Sequence, residues 1–309
     1  MSSFTSLPSP PNSTFIHDCS FDYYGRRLAT CSGDRMLRIY TLTEDNEWIL
    51  PPTSIFQAHE ASTWRTSWSP PSYGLLLSTC SDDSTVCIWE EDSTSKKWLK
   101  KATLGESRKP VFCVEFGPQH VGLRLATGSA DGIVRIYEAI DVLNLEHWPL
   151  SQRFDGCVEG ELGVTCLGWC GSRFDGLMIV VGGSDGSLKV WKFSEASRSW
   201  KVHLDLLGFQ ERLLDVKWAN GVGRGYHLIA AVGGGGVVRV YKFRRERGEE
   251  ETVNEKDVHV HTLSTKSGSD VWRLGWNETG TVLATSGEGG SVNMWKASFE
   301  GEWKCVEEV

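Results

Sequence analysis

The chain has 309 residues, a formal net charge of −8, nine cysteines, 33 glycines and 14 tryptophans. A chain of this length buries roughly three quarters of its unfolded surface, so its fold calls for neither disulfide nor metal staples. Hydrophobic content of 40% and charged content of 23% suit a globular protein and not a disordered one. The acidic balance speaks against a nucleic-acid binder, whose phosphate contacts need a basic face, although a local basic patch stays open. No apolar run reaches the ~20 residues of a membrane helix. The start, MSSFTSLPSPPNST, lacks the basic and apolar regions of a signal peptide. The expectation is a cytosolic or nuclear protein with reduced thiols.

Fourteen tryptophans in one soluble chain suggest a position that recurs. Six segments align, closing on Tyr40, Trp89, Tyr137, Trp191, Tyr241 and Trp295, at spacings of 49, 48, 54, 50 and 54 residues. In chain order each segment predicts the same elements. A first strand alternates apolar with other residues and ends in an aromatic: Phe21, Trp68, Phe116, Trp169, Trp218 or Trp276. A second strand is a run of small apolar residues such as LATCS or LATGS. A tight turn with Asp or Gly follows, and a third alternating strand such as LRIY or VRIY reaches the closing aromatic. A fourth strand after a polar loop is marked by Trp48, Trp98, Trp148, Trp200 and Trp303. The fifth segment has the run RRERGEEETVNEKD before HVHTL instead. Trp64 and Trp272 stand early in the first strand.

The implied fold class is all-β, a six-bladed β-propeller. The turn Asp and terminal aromatic match the WD-repeat signature. Blades are expected at about 15–61, 62–109, 110–162, 163–212, 213–269 and 270–309, after a flexible segment 1–14. The turn Asp is Asp34, Asp83, Asp131 or Asp185, with Gly235 and Gly289 at that place in the last two blades. The structural hydrogen-bond set of the signature is legible in one blade only, as His59, Thr79, Asp83 and Trp89. The other blades are expected to hold by packing. The last segment carries its own outer strand, EWKCVEEV, and residues 1–14 hold three prolines, a poor closing strand. Two readings stay open: a ring that presents edges and faces of blades 1 and 6 to another chain, and a ring closed by face packing alone.

Chemistry is hard to find. There is no phosphate loop of the GxxxxGK[ST] kind and no GxSxG elbow. GGGG at 233–236 is expected at a strand turn. Cys166 with Cys170, and Cys80 with Cys87, lack zinc-knuckle spacing and nearby histidines, so they read as buried strand thiols. His259 and His261 alternate on one strand without an apparent third ligand. Asp82, Asp83, Asp131 and Asp185 recur blade by blade, which suits turn chemistry rather than a catalytic pair. The run 244–257 mixes both signs, as a solvated loop does. No enzyme activity, metal, cofactor, nucleic acid or small-molecule substrate is expected.

Several runs add a resemblance: FIHDCSFDYYGRRLATCS, HEASTWRTSWSPPSYG, GLRLATGSADGIVRIYEAIDVLNLEHW and DVWRLGWNETGTVLATSGEGGSVNMWKASFEGEWKC. They resemble the small WD-repeat nucleoporins of the Y-shaped nuclear pore scaffold. They are less similar to the paralogous COPII outer-coat protein, and ADGIVRIYEAIDVLNLEHW favours the nucleoporins. The resemblance implies an open six-bladed propeller into which an α-solenoid partner inserts a β-blade between blades 1 and 6. It also implies other Y-complex subunits as neighbours, a place at the nuclear envelope with only indirect membrane contact, and a role in protein and mRNA transport. A second implied assembly is SEA/GATOR, which regulates TOR signalling at the vacuolar or lysosomal surface. The candidate partner-binding residues are then Phe15, Ile16, Leu37 and Ile39 of blade 1 and Trp272, Leu274, Val292 and Met294 of blade 6, each weighed against ordinary inter-blade core. The competing functions are a COPII-type coat subunit and a free WD-repeat adaptor.

Overall fold

The structure is a computed structural model, described for residues 7–8, 15–157, 162–206, 208–221, 223–245, 257–263, 270–298 and 301–308. Most of the charged run, residues 246–256, and of the N-terminal segment, residues 1–6 and 9–14, lie outside the described residues.

Period-2 alternation becomes short antiparallel strands. Blade 1 is β1 (Ile16–Phe21), β2 (Arg27–Ser32) and β3 (Met36–Leu42), with an outer strand in two pieces, β4 (Trp48–Ile49) and β5 (Ile55–Gln57), both paired with β3. Pro51 and Pro52 set the 3-10 turn that splits those pieces. Blade 2 is β6 (Thr63–Trp68), β7 (Leu76–Ser81), β8 (Val86–Glu91) and β9 (Trp98–Leu104). Blade 3 is β10 (Val111–Phe116), β11 (Arg124–Ser129), β12 (Ile133–Glu138) and β13 (Leu150–Asp155). Trp148, expected as an outer-strand marker, precedes β13, and its indole donates to the Leu145 carbonyl at 2.9 Å in the connecting loop. Blade 4 is β14 (Val164–Trp169), β15 (Met178–Gly183), β16 (Leu188–Ser194) and β17 (Ser199–Asp205). Blade 5 is β18 (Leu213–Trp218), β19 (Tyr226–Gly233), β20 (Val238–Arg244) and β21 (His259–Leu263). Blade 6 is β22 (Val271–Trp276), β23 (Val282–Gly287), β24 (Val292–Ala297) and β25 (Trp303–Glu308). Each sheet runs in sequence order, and the protein is an all-β six-bladed propeller. It divides into two compact units, residues 1–131 with 135–153, and residues 132–134 with 154–309.

Three devices repeat. The first strand of every blade bulges at its second residue: His17, Trp64, Phe112, Thr165, Leu214 and Trp272. A bulge bends the strand and re-aims that side chain. In the first unit these side chains form a row, with His17 stacked on Trp64 at 4.3 Å and Trp64 edge-on to Phe112 at 5.7 Å. The turn between second and third strands enters the left-handed region in every blade, at Arg35, Ser84, Gly132, Gly186, the pair Gly235 and Gly236, and the pair Gly289 and Gly290, with φ between 67° and 81°. Four blades place glycine there, the residue that pays no Cβ penalty.

The third device uses nine of the 14 tryptophans. The aromatic ending the first strand meets the outer aromatic of its own blade: Phe21 with Trp48, Trp68 with Trp98, Phe116 with Trp148, Trp169 with Trp200 and Trp276 with Trp303. Their centroids lie 5.6 to 6.2 Å apart. Blade 5 lacks an outer tryptophan, and Trp218 meets Phe243 and His227 instead. Such tilted and edge-on pairs add ~0.5–1.5 kcal/mol beyond their buried area.

Candidate partner-docking surface

The blades are held by buried polar clamps as well as by packing. In blade 2, His59 Nε2 lies 2.8 Å from Thr79 Oγ1, which also accepts the Trp89 indole N–H at 3.0 Å, and His59 Nδ1 lies 3.0 Å from Asp83 Oδ2. Burial alone would push His59 down, but the Asp83 carboxylate, helped by Cys87, overrides it and raises the imidazole to about 9. Blades 1 and 3 correct the expectation of packing alone. Arg38 donates to Asp34 at 2.6 Å and to Ser32 at 2.9 Å. Arg135 does the same to Asp131 at 2.5 Å and Ser129 at 2.7 Å. The signal was in the sequence: arginine stands two residues before Tyr40 and Tyr137, four after the turn Asp. In blade 4, where lysine replaces that arginine, Asp185 Oδ1 accepts from its own turn, from the Ser187 N–H at 2.9 Å and the Ser187 hydroxyl at 2.5 Å. In blade 5, with Gly235 for Asp, Arg239 stacks over Phe209 at 4.8 Å.

Neighbouring blades are also joined by hydrogen bonds. Asp18 accepts the Thr66 N–H, and Asp215 accepts the Leu274 N–H, each at 3.0 Å. The Trp68 indole donates to the Ser20 carbonyl at 2.9 Å, and Trp276 to the Lys217 carbonyl at 3.0 Å.

On this frame the candidate partner residues separate. In blade 1, Phe15 and Ile16 are 89% and 57% exposed at the head of β1. Leu37 and Ile39 are not on that surface. Both are fully buried with Ala58, Leu77, Cys87 and Trp89, because their face of β3 is turned to blade 2. The opposite face carries Arg38 and Tyr40, also buried, and the Tyr40 hydroxyl donates to the Pro8 carbonyl at 3.4 Å. In blade 6, Leu274 is likewise core, packed with Val232, Val238 and Val240 of blade 5. Trp272 is 42% exposed at the bulge, the position that His17, Trp64 and Phe112 hold in the first unit.

Val292 and Met294 are half-buried on the face of blade 6 that does not pack on blade 5. Their neighbours on β23 are not among the candidates that the sequence offers. Val282, Ala284 and Ser286 are also half-buried, and Ala284 pairs with Met294 and Ser286 with Val292. These five residues are a small apolar sheet face without a covering layer in the second unit. The missed signal was the period-2 pattern of VLATSG, whose alternate residues Leu283 and Thr285 are buried.

Ionisable groups that could hold a metal converge at one place among the described residues: Cys170, Asp175 and His227, with donor atoms within 4.8 Å of one another. The histidine lacking near Cys170 in the sequence comes from blade 5. Cys166 is core, and His259 and His261 lie on β21.

The sheets, the repeated turn and the His59–Thr79–Trp89 network define a WD-repeat propeller. The WD domain, G-beta repeat model matches residues 3–41, 50–90, 98–138, 150–192 and 257–296, each segment ending one residue past a closing aromatic. Nucleoporin SEH1 of Xenopus tropicalis is 37% identical over 310 residues, which cover 94% of this chain and 84% of that protein. Nucleoporin SEH1 of Bos taurus is 38% identical, and that of Homo sapiens 37%, with the same coverage. The chain belongs to the SEH1 family of WD-repeat nucleoporins.

Proposed function

We propose that the chain is a non-enzymatic scaffold subunit of the Y-shaped nuclear pore coat, and that it holds an α-solenoid nucleoporin by accepting a β-blade from it. The relatives' names support the nuclear pore, and with it the nuclear envelope and contact with other pore subunits. The observation that carries docking is the half-buried face of blade 6, which no layer of the second unit covers. A sheet face of Val, Ala and Met is satisfied by another sheet packed at ~10 Å. The covering element therefore has strand chemistry, with main-chain pairing for affinity and side-chain pockets for specificity. Phe15 and Ile16 supply exposed apolar area on blade 1, while Trp272 does so on blade 6. Membrane association and support of protein and mRNA transport then follow from the coat the subunit builds.

The test is a native affinity purification with mass spectrometry, followed by thermal unfolding with and without the partner's N-terminal β-segment. The proposal expects a stoichiometric helical nucleoporin and a higher melting temperature with the segment. A chain that purifies without a helical partner, or melts identically with and without the segment, overturns it. The same pull-down separates the alternatives, since SEA/GATOR subunits would extend the role to TOR signalling at the vacuolar or lysosomal surface, and vesicle-coat subunits would move it to a COPII-type coat.

A further inference from the structure

Cys170 directly follows β14, Asp175 lies in the loop between β14 and β15, and His227 is in β19, so three chemically different donors meet from two blades of the second unit. The Asp175 and His227 side chains are only 5% and 4% exposed, yet His227 Nε2 stands 3.6 Å from Asp175 Oδ2. That is too long for a buried hydrogen bond. It matches the roughly 3.3–3.6 Å between two ligands that sit at ~2.0–2.2 Å from a tetrahedral zinc ion. The His227 ring is held in orientation by Trp218 at 5.4 Å and Phe243 at 5.0 Å. Arg245 holds Asp175 Oδ2 through its Nε at 2.7 Å and is itself braced by Ser172 Oγ at 2.7 Å and the Arg224 carbonyl at 3.1 Å. Outer-sphere support of this kind accompanies ligating carboxylates. A cavity of ≈10 Å³ opens beside the cluster, lined by Asp175, His203 and His227 among others. That is about the space one water or one ion occupies.

We propose that Cys170, Asp175 and His227 bind one zinc-class divalent ion that ties blade 4 to blade 5. Water or His203 supplies the fourth ligand. Thiolate and imidazole select zinc or cobalt over magnesium and calcium, which take oxygen donors. Binding breaks the Cys170 S–H bond, forms a metal–sulfur bond and releases the proton to solvent, and no electron moves. Arg245 already neutralises Asp175, so affinity comes from the thiolate and the imidazole. The ion acts as a staple because its donors come from two blades, Cys170 and Asp175 from blade 4 and His227 from blade 5.

The purified full chain is dialysed and its metal content measured, then stripped, loaded with Co²⁺ and examined for the thiolate-to-cobalt charge-transfer absorption. The proposal expects about one zinc per chain, or the cobalt band after loading, with a melting temperature that rises with zinc and falls with chelator. In Cys170→Ser the band and the zinc-dependent shift are lost. Folded wild-type protein that holds no zinc and shows no cobalt band overturns the proposal, leaving a metal-free Asp175–Arg245 ion pair. So does a band that persists in Cys170→Ser. The cobalt measurement on wild type decides the matter even where the variants fold poorly.

Discussion

Blades 5 and 6 are neighbours built to one plan. Ala230 pairs with Val240 and Val232 with Val238 in blade 5, and Ala284 pairs with Met294 and Ser286 with Val292 in blade 6, at the same register positions. In blade 5 all four are fully buried. In blade 6 all four are half-buried. The opposite faces do not differ in this way, since Ile229 and Tyr241 are buried toward blade 4, and Leu283 and Trp295 toward blade 5. An alanine at the same place in the same strand thus changes its burial with its neighbour, not with its own chemistry. The half-buried face of blade 6 is thus set apart by its surroundings more sharply than by residue type.

The largest test of it is a charge on the covered face. Val240→Glu puts a carboxylate where nothing pairs it, and the expected loss is more than about 4 kcal/mol, enough to leave the chain unfolded or insoluble. Urea denaturation of the isolated chain checks this. A stable Val240→Glu protein would mean that the blade 5–blade 6 layer is loose, and the contrast between the blades would vanish.

Polar clamps differ too. Blade 6 keeps only half of the blade 2 network, the Trp295 indole donating to Thr285 at 3.1 Å, without the histidine and aspartate. Blade 2 should therefore carry a pH signature that blade 6 lacks. His59 is raised to about 9 in the folded state. A base whose pKa is raised on folding stabilises fully below its unfolded value, ~6.5, and loses that contribution as pH rises through the folded value. Asp83 is held low, because its hydrogen bonds to His59 and Thr85 outweigh burial. Its contribution is present above the usual carboxylate range and is lost on acidification. The pair is one interaction and is counted once. Wild type is expected to lose roughly 2–3 kcal/mol more than His59→Gln between pH 6.5 and 10, measured by denaturation at each pH. Parallel curves for the two proteins would remove the charged histidine from the clamp.

Inter-blade hydrogen bonds predict a smaller effect. Trp276→Phe keeps the ring against Trp303 and removes the donation to Lys217 of blade 5. The expected cost is ~1 kcal/mol. A null effect would mean that face packing alone joins the two blades.

Much of this was legible beforehand. Six repeats and their strands follow from period-2 alternation and fixed offsets, which are local signals, and the match to the WD-repeat signature supplies the His59–Thr79–Asp83–Trp89 set. Which face of a strand meets a neighbour is not local. Leu37, Ile39 and Leu274 read as candidates for an outer surface because alternation says that they share a face, not which face. The Arg38 and Arg135 clamps were readable from the spacing of Arg and Asp but look like ordinary strand polarity until the serine hydroxyl is placed. The Cys170–Asp175–His227 cluster was out of reach, since 57 residues separate Cys170 from His227 and no motif links two blades.

The smallest effect on stability is the most informative for function. Met294 is the counterpart of Val240, and Met294→Glu places the same charge on the half-buried face of blade 6. A half-exposed carboxylate keeps much of its hydration, so the isolated chain should change by no more than about 0.5 kcal/mol. Binding of a β-blade to that face would bury the charge without a partner, and the expected loss of affinity is 100-fold or more, about 3 kcal/mol. Titration of the partner's β-segment into wild type and Met294→Glu measures it, with Val306→Glu on exposed β25 as the control for charge alone. A Met294→Glu chain that unfolds would show the face already covered. One that folds and still binds the segment would move the docking surface elsewhere, toward Phe15 and Ile16 of blade 1. A folded chain that no longer binds ties docking to the face that separates blade 6 from blade 5.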